Sequence, residues 1–79
     1  MTPTIGRIVI YTNLGSADGK FPPEPHPAII TRVDADAVPA TPAVVSLCVF
    51  YATGLFFMEG VHEGDPGERD AWAWPERAP

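Results

Sequence analysis

The residues with the clearest capacity for chemistry lie together near the C-terminus: His62-Glu63, then Asp65, Glu68 and Asp70. A histidine oriented by a carboxylate is a general base near neutral pH, and hydrolysis is the reaction it would serve. That reaction also needs a nucleophile. Ser16 and Ser46 read as loop and strand residues, and neither they nor Cys48 stand in a nucleophile-elbow setting. Calcium would require six to eight oxygens from a loop folded back on itself, often at alternate positions. Asp65-Pro66-Gly67-Glu68-Arg69-Asp70 has carboxylates and a glycine but not that spacing, and Arg69 offsets charge. A solvated acidic loop is the better reading, with neither enzyme activity, metal nor cofactor expected. Cys48 is the single cysteine, so an intrachain disulfide is impossible, and its apolar neighbours Leu47, Val49 and Phe50 predict a buried, inert thiol.

Composition narrows the partners. The 79 residues carry a net charge of −5, and the five basic residues (Arg7, Lys20, Arg32, Arg69 and Arg77) are scattered. Phosphate backbones and anionic membranes call for a basic stripe, so neither nucleic acid nor membrane is an expected partner. No apolar run approaches the ~20 residues of a membrane span, and a signal pattern is not evident at the start. A single small domain is expected, and a chain of this size buries only about 60% of its unfolded surface. Assembly with other subunits would relieve that marginal stability.

The elements that would position any site follow from the prolines. All ten fall between apolar runs rather than inside them. Proline breaks helices, and the runs between are rich in Val, Ile, Phe and Tyr. The expected fold is therefore all-β, a small five-stranded barrel or roll with long Pro-rich loops. Gly6 to Thr12 reads as the first strand and Ala28 to Val33 as the second. Val44 to Tyr51 is the candidate central strand. Ala52-Thr53-Gly54 supplies a tight turn in which Gly54 could take a positive φ, and Leu55 to Val61 returns as the hairpin partner. Ala71 to Trp74 closes the sheet. Gly15 to Pro27, with His26 between two prolines, and Asp34 to Pro42 read as loops.

Six of the eight aromatic residues (Phe50, Tyr51, Phe56, Phe57, Trp72 and Trp74) fall on the last three strands. Trp72 and Trp74, at i and i+2, share one face of a strand. Phe56 and Phe57 are adjacent and must face opposite sides, so one should enter the core and the other needs cover. Trp72, Trp74, Phe56 and Phe57 are the candidate core or interface anchors. Arg7 and Arg32, each alone among apolar strand residues, are candidates for charge pairs at a subunit contact.

Four segments carry a resemblance: Pro3 to Tyr11, Pro27 to Val33, Val45 to Phe57, and Trp72-Ala73-Trp74-Pro75-Glu76-Arg77. About half of the chain, spread from end to end, resembles a group of short proteins of actinobacteria and their tailed phages. The group has no established catalytic or binding residues. Its usual ending is Gly-Thr-Trp-His-Trp-Pro-Glu; Asp70-Ala71 and Ala73 stand here in place of the Gly-Thr and the His, so no role of that His carries over.

The resemblance implies a phage or prophage accessory gene, and small acidic all-β phage proteins are often virion parts. The expectation is a non-enzymatic structural protein of the phage particle, most concretely a capsid decoration subunit that binds a protein lattice or its own subunits as a homo-oligomer. The alternative is an accessory protein in the host cytoplasm that binds a host defence protein, or sequesters a nucleotide-type immune signal with Arg7, Arg32 or Arg77 meeting the phosphates.

Overall fold

The computed structural model describes residues 3–15, 22–33 and 44–75. The expected loop at Asp34 to Pro42, residues 16–21 of the expected Gly15 to Pro27 loop, and Arg77 lie outside the described residues. Five antiparallel strands form one sheet: β1 (Ile8–Thr12), β2 (Pro25–Val33), β3 (Val44–Tyr51), β4 (Gly54–His62) and β5 (Ala71–Ala73). Their order is β4-β3-β2-β1-β5, and no helix occurs among the described residues. The sheet curls into a half-barrel. At one end its edges meet, because Glu63 bridges to Trp72 and the Gly64 N–H donates to the Trp72 carbonyl at 2.9 Å. The all-β expectation holds. β3 is interior as expected, although β2 occupies the middle position.

Alternation sends Val9, Tyr11, Ala28, Ile30, Val45, Leu47, Val49, Val61 and Trp72 to the inner face, where they form the core. Two irregularities make that set possible. On β2, Ile30 pairs with Leu47 but Arg32 pairs with Ser46, which leaves Thr31 as an extra residue. On β4, Met58 pairs with Leu47 and Val61 with Val45, so Glu59 and Gly60 together oppose Ser46. Strict alternation would have pointed Arg32 into the core and Val61 out of it. The two bulges reverse both, and they bend the sheet where they occur. Gly60 absorbs the second with a φ of 67°, a conformation that costs other residues a Cβ clash.

The second strand begins three residues earlier than expected. Pro25 and Pro27 sit in β2 opposite Thr12 and Ile10. The ladder between β2 and β3 ends at Ala28 and Val49, one residue before Pro27, whose missing N–H could not continue it. His26 is therefore a half-buried strand residue rather than an exposed loop residue. Its ring lies 4.1 Å from that of Tyr51, and Asn13 Nδ2 donates to its Nε2 at 3.2 Å. The hairpin turn also differs from expectation. Gly54 pairs with Tyr51 and has no positive φ, and neither has Ala52 or Thr53, so this is not one of the primed turns.

Candidate functional site: the outer sheet face

Residues that alternate with the core form the outer face, and the registers place them in rows across the strands. Ile8 lies opposite Ile29, Ile29 opposite Cys48, and Cys48 opposite Phe57. In the next row Ala73 faces Ile10, Ile10 faces Pro27, and Phe50 faces Leu55. No charge interrupts either row. Ile8, Phe50, Leu55 and Phe57 are all exposed, Phe57 to 77%. A soluble chain seldom leaves large apolar side chains contiguous in this way unless something covers them.

The rows are bounded by polar ground on one side. Arg32, Ser46 and Glu59 line a small depression of about 160 Å³ where the two bulges meet. Arg32 makes no ion pair with a described residue. On the other side the outer face descends into a groove of about 680 Å³. Ile10, Ala73, Pro23, Pro66 and Trp74 line it, and Arg69 and Asp65 are among its charged residues.

The loop after β4 is built rather than loose. Asp65-Pro66-Gly67-Glu68 is a turn closed by the Glu68 N–H donating to the Asp65 carbonyl at 2.9 Å. Gly67 has a φ of 86°, as the third residue of a type II turn requires. The Glu68 carboxylate accepts from the Asp65 N–H at 3.3 Å and lies 3.1 Å from His62 Nε2. Those two contacts, the histidine first, hold its pKa below the ordinary glutamate value. The His62–Glu68 pair thus ties the end of β4 to the loop. No group of three or more His, Cys, Asp or Glu side chains among the described residues is placed to hold a metal ion.

The six candidate anchors do not form one site. Trp72 is fully buried and belongs to the core. Trp74 is half-buried, meets Trp72 edge-to-face at 5.4 Å, and carries the Arg7 guanidinium 5.5 Å from its ring centroid. Phe56 and Phe57 do face opposite sides, but neither enters the core. Phe56 is 57% exposed on the inner side, where its ring meets Tyr51 edge-to-face at 4.7 Å. Cys48 is half-buried on the outer face, not sealed in the core as expected. Ile8, Ile29, Phe50 and Leu55 were missed as site residues. Their strands are apolar on both faces, so alternation could not say which face looks outward. Compared with protein-family models, curated proteins and solved structures, the chain matches none.

Proposed function

We propose that this protein is a non-enzymatic assembly subunit that seats its outer sheet face on another protein surface, most concretely as a decoration subunit on a phage capsid. The observation that carries the proposal is the uncharged row Ile8–Ile29–Cys48–Phe57, continued by Phe50 and Leu55. An apolar patch rimmed by Arg32 and Glu59 is the anatomy of a protein interface, with a dry centre and a polar edge. The net charge of −5 favours a protein partner over nucleic acid. The particle assignment adds the resemblance to short phage proteins. Quantitative mass spectrometry of purified phage particles tests it. A copy number close to that of the major capsid subunit supports decoration, a few copies support a connector or tail role, and absence removes the virion reading.

The groove beside Trp74 favours a second reading, sequestration of a small molecule. Its volume falls within the usual range for ligand pockets. Arg7 and Arg32 do not line it; Arg69 does. Among the described residues, a nucleotide-type ligand would therefore meet one cation there. Thermal shift with candidate anionic ligands separates the readings, because a ligand that binds only the folded state must raise its melting temperature.

A further inference from the structure

The two edges of the sheet are protected very differently. β5 is three residues long, is followed by Pro75, and is bridged to Glu63. β4 is nine residues long, and no described residue pairs with its free side before Glu63. Natural edge strands are usually blunted by charge, proline or brevity. β4 instead presents Leu55, Phe56 and Phe57, exposed to 53%, 57% and 77%. These side chains lie on both faces of the strand, so a strand added at the free edge would shield part of each.

We propose that β4 of one copy pairs antiparallel with β4 of a second copy, about a two-fold axis at Phe56, fusing two curled sheets into one. Three observations select this occupant. An unpaired strand edge calls for another strand, and antiparallel self-pairing satisfies both edges with a single contact. Charge selects the place: Gly54 to Met58 is uncharged, so two chains of net charge −5 can approach there. Register selects the axis. The Ile30 N–H donates to Arg7 on the β1 side, so alternation through β3 turns the backbone groups of Leu55 and Phe57 toward the free edge.

With the axis at Phe56, Leu55 lies opposite the second copy's Phe57 and exchanges both hydrogen bonds with it, and the reverse pair does the same. The two Phe56 rings meet on the inner face. Moving the axis one residue onward to Phe57 would bring Glu59 and its bulge into the ladder. The inference rests on the β4 edge and not on what covers the outer face.

Sedimentation velocity across a concentration series tests it first, with a reversible dimer expected. Leu55→Pro removes an N–H that faces the free edge and no bond to β3, so it should fold and weaken dimerisation by about tenfold or more. Register is read by cross-linking in a Cys48→Ser background. Opposed residues of a non-hydrogen-bonded pair have Cα atoms about 4.5 Å apart, within disulfide reach. Phe56→Cys should oxidise to a covalent dimer, and Leu55→Cys should not. A wild-type chain that stays monomeric throughout overturns the proposal. So does a dimer that cross-links through Leu55→Cys but not Phe56→Cys. Particle binding can fail while these results stand, so the two proposals fall separately.

Discussion

The Tyr11 hydroxyl donates a 2.8 Å hydrogen bond to Asp70 Oδ1, joining residues 59 apart in sequence. Asp70 is held from two sides, because its own N–H donates to the Thr12 carbonyl at 2.8 Å. It adopts a φ of 55°, unusual for a residue with a Cβ. The pair fixes the point where the acidic loop turns into β5. Burial first, then the Asp70 carboxylate, keeps the Tyr11 phenol protonated far above its ordinary range.

Tyr11→Phe leaves this partly buried carboxylate without its donor and should cost about 1–2 kcal/mol. Asp70→Ala loses the same bond and adds left-handed strain. Asp70→Gly loses the bond but relieves the strain, so it should be the milder change by about 1 kcal/mol. Urea denaturation of the three variants checks the order. Equal losses for Ala and Gly would mean that the backbone conformation at Asp70 carries no strain.

Trp72→Ala should abolish folding or nearly so. The side chain is fully buried against Tyr11 and the core valines. Truncating a buried tryptophan costs about 3–5 kcal/mol, a large part of the roughly 5–15 kcal/mol that holds small domains together. Trp74→Ala, at a half-buried position, should leave a folded chain with a lower melting temperature. Circular dichroism melts separate the two. A Trp72→Ala protein as stable as wild type would contradict the packing described.

The strands were legible because proline and β-branched residues sort into alternate stretches of the chain. The inward face was not. On β1, Ile8 and Ile10 are as apolar as Val9 and Tyr11, and only pairing with β2 and β5 decides that Val9 and Tyr11 turn inward. Arg32 illustrates a different limit. Alternation from Ile30, which the structure buries, would turn it into the core, and the extra residue at Thr31 that turns it outward has no signature in the sequence. Pro25 and Pro27 read as loop residues, yet they are tolerated in β2 because β3 does not continue the ladder beyond Ala28. The adjacent phenylalanines required opposite faces, as found, but their position on an edge strand left both exposed.

Stability should depend on Glu68 in acid. Its folded pKa lies below the ordinary value of 4.5, so its contribution is complete above that pH. The contribution is lost as pH falls through the folded value. The melting-temperature difference between wild type and Glu68→Gln should shrink as pH falls below the ordinary glutamate value. His62→Gln should move the Glu68 titration, followed by carboxyl carbon NMR, back toward the ordinary value. A titration unchanged by His62→Gln would show that the 3.1 Å contact is not made in solution.

The outer face can be tested with the fold held constant. Phe57 is 77% exposed and lies opposite half-buried Cys48, so Phe57→Ser removes apolar area from the patch without opening the core. Its effect on stability should stay within about 0.5 kcal/mol, the usual range for surface substitutions. If the patch is an interface, Phe57 ends its row on β4 as the most exposed of its large apolar side chains, and an aromatic anchor buried on binding costs more than about 1 kcal/mol on truncation. Binding to purified particles should then weaken by about tenfold, and Ile8→Ser at the far end of the same row should add to the loss. Thr53→Ala, in the exposed turn, serves as the neutral control. Particle binding unaltered by Phe57→Ser and Ile8→Ser together would remove the outer face as the docking surface. Attention would then move to the groove beside Trp74.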